Sequence, residues 1–97
     1  MDIEVIVEQI TKQAGNVAPL GARFKFVLDD NPIHIDGSGD SNVVSTEDKE
    51  ADCTISTTME NMVKLKSGEL NPMMAVMTGK IKIDGDMALA MKLQSLI

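Results

Sequence analysis

The sequence predicts an α+β fold, in which helices cover one face of a β-sheet. Three features support this prediction. Residues 3–15 have the apolar spacing of a helix, residues 23–56 alternate between apolar and polar side chains, and residues 57–97 carry the signals of two helices, a strand and a final helix. A chain of 97 residues, 43% hydrophobic and 25% charged, has the size and composition of a single domain, residues 1–97.

The first helix is predicted from four apolar residues. Ile3, Ile6, Val7 and Ile10 occupy positions i, i+3, i+4 and i+7, which lie on one face of a helix. Their β-branched side chains lower intrinsic helix propensity, so packing against the rest of the domain must stabilise this helix. We expect the helix to end near Gly15.

The strand-rich segment supplies the predicted core of the sheet. Residues 29–31 and residues 37–42 have the composition of turns, and their short spacing favours antiparallel hairpins with one buried face. The buried face is predicted to consist of Phe24, Phe26, Leu28, Ile33, Ile35, Cys53 and Ile55.

End signals predict two helices between residues 57 and 79. Thr57 and Glu60 have the spacing of a capping box, which starts a helix. Asn71 is a suitable cap for a second, short helix with Pro72 at its first position, and Gly79 ends that helix.

A last strand and a final helix complete the predicted chain. Ile81 and Ile83 alternate with polar residues, and Asp86 is placed to cap the helix that follows. Because this strand follows a long helical crossover, we expect one pairing in the sheet to be parallel. The apolar stripe of the final helix is predicted to be Leu89, Leu93, Leu96 and Ile97, widened by Met87, Ala90 and Met91.

Acidic residues are concentrated in one part of the chain. The net charge is −6, and residues 29–52 contain eight Asp or Glu but only one Lys or Arg, Lys49. A block of one sign is usually a solvated surface. The absence of a basic stripe from the sequence argues against nucleic acid as a partner.

Targeting signals and disulfides are not expected. No apolar run approaches the ~18 residues of a membrane span, and Asp2 and Glu4 replace the basic region of a secretory signal. The single cysteine, Cys53, cannot form an internal disulfide, which fits a reducing compartment. We therefore expect a cytoplasmic location.

Candidate catalytic and metal-binding residues are few. His34 is predicted to be an exposed structural residue of a strand, and Cys53 a small buried hydrophobe. Asp36 and Glu47 lie at the first and last positions of a calcium-loop spacing, but Ser41 replaces its required glycine. We therefore expect no enzymatic activity, metal or cofactor.

Methionine is the unusual component of the predicted interior. Five of the eight methionines lie between residues 65 and 93, and the chain has no Trp, no Tyr and two Phe. Unbranched methionine side chains adapt to surfaces of more than one shape. Composition alone leaves two alternatives open: a pliable apolar cavity, or a core that methionine merely fills.

The same stretch resembles the sterol carrier protein 2 family of lipid-binding domains. The matching residues extend over nearly half of the chain, in the order and spacing of the family, and the end at Ile97 suggests a stand-alone form. The residues that carry the resemblance are 51–55 (ADCTI), 65–68 (LKSG), 70–73 (LNPM), 77–81 (MTGKI) and 85–93 (GDMALAMKL).

The resemblance implies a five-stranded, mostly antiparallel but mixed sheet, with helices that enclose an apolar tunnel. It also implies non-catalytic binding and transfer of a fatty acid, acyl-CoA, sterol or isoprenoid. An accessory or protein-interaction role in a lipid or quinone biosynthesis assembly is the alternative. The residues predicted to line the tunnel are Phe26, Ile35, Ile55, Met62, Met74, Met77, Ile83, Met87, Met91 and Gln94.

The final helix is also predicted to make an external contact. Its broad apolar surface is of the kind that contacts a partner or a membrane. We expect either a homodimer through this helix or transient docking on a bilayer, with the dimer favoured because the net charge of −6 repels anionic lipid.

Overall fold

The computed structural model describes residues 3–92 and places them around one five-stranded mixed sheet of order β3-β2-β1-β4-β5. None of the helices described is long and apolar enough to span a membrane. The elements are α1 (Ile3–Gly15), β1 (Arg23–Leu28), β2 (Asn31–Asp36), β3 (Val43–Ser45), β4 (Cys53–Thr57), α2 (Met59–Ser67), α3 (Pro72–Met77), β5 (Lys82–Gly85) and α4 (Met87–Lys92).

The predicted core face of the sheet is confirmed. All seven residues assigned to it are buried, and they form one apolar cluster with Ile6, Ile10 and Ala14 of α1. The pairing register explains the shared face, because Phe26 lies opposite Ile33 on one side and Ile55 on the other. The helices therefore cover one face of the sheet, as the sequence predicted.

The β1–β2 hairpin turns through two residues with left-handed backbone. Asp29 and Asp30 have φ angles of 49° and 68°. A two-residue turn of this handedness matches the twist of antiparallel strands, and aspartate tolerates it better than most residues. The turn fixes the register that places Phe24 opposite Ile35.

A parallel pairing is present, but the sequence-based prediction associated it with the wrong connection. β5, which follows the helical crossover, is antiparallel to β4, and the parallel neighbours are β1 and β4. The connection responsible is the non-helical segment 46–52, which leads from the edge strand β3 to β4. This crossing was not predictable from the pattern because the segment has no helical or strand periodicity.

Segment 46–52 also explains why the prediction of an exposed His34 was wrong. His34 does lie on the face opposite Ile33 and Ile35, but only 2% of it is exposed. Its Nε2 lies 2.9 Å from the carbonyl oxygen of Glu50, so a backbone group of the segment is its hydrogen-bond partner. The ring is therefore an internal structural residue.

The acidic side chains of this segment remain largely in solvent, as predicted for a single-sign block. Two of them pair with basic residues of β1: the Lys25 Nζ lies 2.7 Å from Asp48 Oδ1, and an Arg23 Nη lies 3.8 Å from Asp52 Oδ1. Exposed pairs of this kind contribute little stability individually. Their effect is to orient segment 46–52 over the outer face of the sheet.

The residues predicted to cap the three C-terminal helices are confirmed, with one exception. Asn71 caps α3 with Pro72 at its first turn, and Asp86 Oδ1 accepts the Ala88 N–H at 2.8 Å. The capping box was assigned one residue too early: Thr58, not Thr57, caps α2 and accepts the Asn61 N–H. Of the stripe predicted for the final helix, Leu93, Leu96 and Ile97 lie outside the described residues.

Candidate functional site

An apolar cavity lies where the β4–β5 end of the sheet meets α2, α3 and α4. Its floor is formed by residues that are also part of the core, namely Phe26, Ile55, Met62, Ile81 and Ala90. Half-buried side chains of Leu65, Val76 and Ile83 form the walls. The site is therefore continuous with the core of the sheet.

The exposed rim of this cavity consists mainly of methionine side chains. Met73 of α3 and Met87 and Met91 of α4 line the cavity while 66%, 54% and 63% of their surfaces remain accessible to solvent. We call these three residues the rim methionines. Pro72 completes the exposed part of the lining. Flexible side chains therefore stand at the entrance, above a floor of tightly packed groups.

Thr57 is the one residue with a polar side-chain group among the lining residues described. Its hydroxyl donates a hydrogen bond to the Lys80 carbonyl oxygen at 2.7 Å. That bond uses the only proton of the hydroxyl, so the group offers a bound molecule no donor. The lining thus selects for apolar surface and provides no site for a charged group inside.

The space inside is small. It amounts to about 70 Å³ that the centre of a water molecule can occupy, whereas ligand pockets commonly measure ~300–1,000 Å³. A long apolar molecule therefore fits only if lining side chains move. The rim methionines have the freedom to do so, because they are exposed and have three rotatable bonds.

Hydrogen bonds fix both ends of α3, the helix that carries Met73 of the rim. The Asn71 side chain accepts the Met73 N–H at 2.9 Å and fixes the start of α3. The carbonyl of Ala75 accepts the N–H groups of Lys80 and Ile81, which folds the chain back from α3 toward β5. The backbone position of Met73 is therefore defined by hydrogen bonds, whereas its side chain lines the cavity and is still largely exposed.

Gly85 joins β5 to α4 at a point of close backbone approach. It lies opposite Cys53 in the β4–β5 pairing, with a φ angle of 117°. A Cβ at this position would collide with the carbonyl oxygen of Asp52. Glycine is therefore required for β5 to pair fully with β4 and for α4 to begin where it does.

Six of the ten residues predicted to line a tunnel lie together in the cavity lining. They are Phe26, Ile55, Met62, Ile83, Met87 and Met91. Ile35 is fully buried in the sheet core instead. Gln94 lies outside the described residues. A role of any of these side chains in ligand binding stays a prediction.

The two remaining predicted residues, Met74 and Met77, are exposed outside the lining, by 55% and 78%. Helical spacing explains the separation, because residues three apart share a face. Met73 and Val76 face the cavity, whereas Met74 and Met77 share the neighbouring face of α3. Met73 was not predicted to line the cavity, because the sequence shows that α3 has two apolar faces but not which of them meets the sheet.

The reactive groups of the chain lie away from the cavity lining. His34 is on the opposite face of the sheet, and Cys53 is fully buried. Burial raises the pKa of the Cys53 thiol, and the nearby carboxylates of Asp86 and Asp84 raise that pKa further. No group of three His, Cys, Asp or Glu able to hold a metal ion occurs within residues 3–92.

Fold and site together define a class of protein: an α+β domain with an apolar cavity between its sheet and its methionine-bearing helices. The chain belongs to the SCP-2 sterol transfer family, whose model matches residues 3–97. The family takes its name from sterol transfer.

Sequence relatives support the same assignment. The chain is 36% identical to bovine (Bos taurus) sterol carrier protein 2 over 96 residues and 39% identical to the rat (Rattus norvegicus) protein over 87 residues. These matches cover 92% and 82% of this chain. The aligned segments make up 17% and 16% of those proteins, so the chain corresponds to about one sixth of their length.

Solved structures share the fold. Sterol carrier protein 2 like 2 from Aedes aegypti superposes with a TM-score of 0.77 at 24% identity, covering 98% of this chain and 95% of that one. The palmitated form of SCP2L2 from Aedes aegypti gives a TM-score of 0.73 at 25% identity and covers 99% and 94%. A ubiquinone synthesis protein, UbiJ-SCP2, gives 0.69 at 16% identity and covers 96% and 85%.

Proposed function

We propose that this chain binds one long apolar chain of a lipid in the cavity and transfers it between partners, with no catalysis of its own. The observation that carries the proposal is a lining in which all described residues except Thr57 are apolar and in which three exposed methionines form the entrance. A palmitated relative of the same fold supports a fatty acyl chain as the ligand. Acyl-CoA, sterol and isoprenoid are the other lipids of the right chemistry.

The polar end of the lipid remains at the entrance in this proposal. Burying a carboxylate without a hydrogen-bond partner is costly, and the one lining hydroxyl described already donates to Lys80. The acyl chain therefore enters first, toward Phe26 and Met62 on the floor. The head group stays among the rim methionines and water.

Ligand entry requires the cavity to widen from about 70 Å³. An empty cavity in a core costs ~24 cal/mol per Å³, so an open apo tunnel of ~300 Å³ would cost about 7 kcal/mol. A domain of this size has only ~5–10 kcal/mol of stability. We therefore propose that the methionines close the space when it is empty and separate when a lipid enters.

Thermal unfolding of delipidated protein tests this function directly. A ligand present at 100 times its Kd stabilises by about 2.7 kcal/mol, which corresponds to a Tm increase of roughly 10–20 °C for a domain of this length. We expect palmitate to raise Tm in a concentration-dependent way. The matched control is octanoate, whose short chain buries far less apolar surface. No shift with any long-chain lipid contradicts the proposal.

Direct binding can be measured without background fluorescence, because the chain contains no Trp and no Tyr. A fluorescent fatty acid reports occupancy, and unlabelled palmitate displaces it. Met91→Gln places a polar amide at the rim, and we expect about tenfold weaker binding with little loss of stability. Met77→Gln is the matched variant on the neighbouring face. If Met77→Gln weakens binding as much as Met91→Gln does, the sequence-based placement of Met77 in the wall is correct.

The proposed lack of catalysis rests on the position of the reactive groups. His34 is enclosed by segment 46–52 on the far side of the sheet, and Cys53 is a buried thiol with a raised pKa. Neither is placed to act on a molecule in the cavity. We also propose a cytoplasmic location, because Cys53 is the only cysteine and a reducing compartment suits it.

An accessory role in a lipid or quinone biosynthesis assembly is the second candidate. The observation in its favour is the fold shared with a ubiquinone synthesis protein, together with exposed Met74 and Met77 outside the cavity. Lipid extraction and mass spectrometry of natively purified protein separate the two candidates. Stoichiometric lipid supports the carrier, whereas a copurified enzyme without lipid supports the accessory role.

The α4 surface carries the remaining proposal, a contact through exposed Met87 and Met91. We propose a homodimer or transient docking on a bilayer, in which burial of these side chains would stabilise the contact. Light scattering across a concentration series, with and without neutral vesicles, measures both. A strict monomer that also ignores vesicles contradicts this proposal.

A further inference from the structure

The rim methionines combine access to solvent with a position on the ligand's path. Each is more than half exposed and each lines the cavity. Thioethers in contact with water are open to oxidation, whereas Met62, on the floor of the same cavity, is only 2% exposed. The site therefore has an oxidisable entrance above a protected floor.

We infer that the rim methionines are a redox-sensitive modification site, at which oxidation by a hydroperoxide lowers the affinity of the cavity for an apolar ligand. This inference rests on the lipid-binding function proposed above. The O–O bond of the hydroperoxide breaks and an S–O bond forms, so the thioether becomes a sulfoxide and loses two electrons. The other peroxide oxygen takes up the electron pair and the hydroperoxide proton and leaves as water or an alcohol.

The chemistry of the lining explains why oxidation weakens binding. A sulfoxide is polar and needs a hydrogen-bond donor, but the one lining hydroxyl described, that of Thr57, donates to Lys80. A sulfoxide turned toward the ligand is therefore left unpaired. One turned toward water no longer contributes apolar wall. Either arrangement lowers affinity, and the unpaired sulfoxide does so by about tenfold, on the scale of a buried polar group without a hydrogen bond.

Two exposed methionines outside the cavity serve as an internal control, because their oxidation should not affect ligand binding. Met74 and Met77 lie on α3 beside Met73 and are as exposed as the rim methionines, but they are outside the lining. Peroxide should oxidise them as readily, with little effect on affinity. Cys53 is a competing oxidisable group, and its burial and raised pKa keep its thiolate scarce.

The test compares three forms of the full chain: the original sequence, M73L/M87L/M91L and M74L/M77L. Leucine keeps the side chain apolar and removes the sulfur. Each form is titrated with the fluorescent fatty acid before and after hydrogen peroxide, and the ratio of the two affinities is compared. Peptide mass spectrometry maps the oxidised residues, circular dichroism checks the fold, and methionine sulfoxide reductases with a thiol reductant test reversal.

We expect peroxide to lower the affinity of the original chain and of M74L/M77L about tenfold, and to leave that of M73L/M87L/M91L nearly unchanged. Prior loading with palmitate should protect the rim methionines but not Met74 and Met77. The inference is overturned if the rim methionines are fully oxidised and the affinity does not change. It is also overturned if peroxide lowers the affinity of M73L/M87L/M91L as much as that of the original chain. Absence of binding before peroxide is a different result, because it overturns the proposed function itself and this inference with it.

Discussion

Two regions of this molecule use apolar residues in opposite ways. Around β1, β2 and β4, rigid aromatic and branched side chains such as Phe24, Leu28 and Ile33 are completely buried. On α3 and α4, five methionines remain more than half exposed. We call the first region the scaffold and the second, which includes the cavity, the adaptable region. Under the proposed function, stability depends mainly on the scaffold, and entry of a ligand depends mainly on the methionines of the adaptable region.

The difference follows from side-chain flexibility. Branched and aromatic residues lose little entropy on burial and interdigitate in one arrangement, which gives a single stable core. Methionine has three rotatable bonds and can fill an empty space or follow a ligand's shape. Residues of β4 and β5 connect the regions, because Ile55 belongs to the scaffold core and also to the cavity floor.

The largest effect is expected when the scaffold alone is broken. Phe24 is fully buried and does not line the cavity. Phe24→Ala leaves a hole in the core and should lower the free energy of unfolding by about 3–5 kcal/mol. Urea denaturation measures the loss, and Met74→Ala, at an exposed position, should change stability by less than ~0.5 kcal/mol. Equal losses in the two variants would mean that the regions do not differ as described.

An intermediate effect is expected where the two regions join. Gly85→Ala forces a side chain into a left-handed backbone position and against the Asp52 carbonyl. We expect a loss of about 2 kcal/mol or more in unfolding free energy, together with weaker lipid binding because α4 carries Met87 and Met91. Gly39→Ala is the control, since a Cβ there meets nothing within 4 Å. Normal stability of Gly85→Ala would contradict the close approach.

How far the sequence predicted the structure also differs between the regions. In the scaffold, alternation identified the seven buried apolar residues of the strands, because period-two patterns report directly which face packs against the core. The burial of His34 was not predictable in this way, since its cover comes from segment 46–52, which has no periodicity. Alternation shows that a side chain faces outward from the core but not whether another segment lies above it.

In the adaptable region, the sequence identified the helices and their caps but not the complete lining. Asn71 and Asp86 were recognisable because capping is a local interaction. The choice between Met73 and Met74 depends on how α3 is rotated against the sheet, which is a tertiary contact. A short helix with methionines on two neighbouring faces has no single apolar side distinct enough to decide this.

The smallest expected effect concerns the surface of the scaffold, at the end of β2. The Asp36 carboxylate accepts hydrogen bonds from the Ser38 hydroxyl at 2.5 Å and from the Ser38 N–H at 3.0 Å. These two bonds, the hydroxyl bond first, lower the pKa of Asp36 below the ordinary aspartate value of 3.8. Because the folded pKa is the lower one, this carboxylate stabilises the fold above the unfolded pKa, and the contribution is lost as pH falls through the folded pKa.

NMR titration of the Asp36 carboxyl carbon checks this directly, and its midpoint should lie below 3.8. Ser38→Ala removes the hydroxyl donor and should move the midpoint upward, while Asp36→Asn should remove this component from the pH dependence of stability. Binding of an uncharged long-chain alcohol should stay constant over the same range, because Asp36 does not line the cavity and the probe itself does not titrate. A midpoint at or above 3.8 would contradict the lowered pKa of Asp36. An affinity that follows the Asp36 titration would show that this end of the scaffold is not separate from the adaptable region.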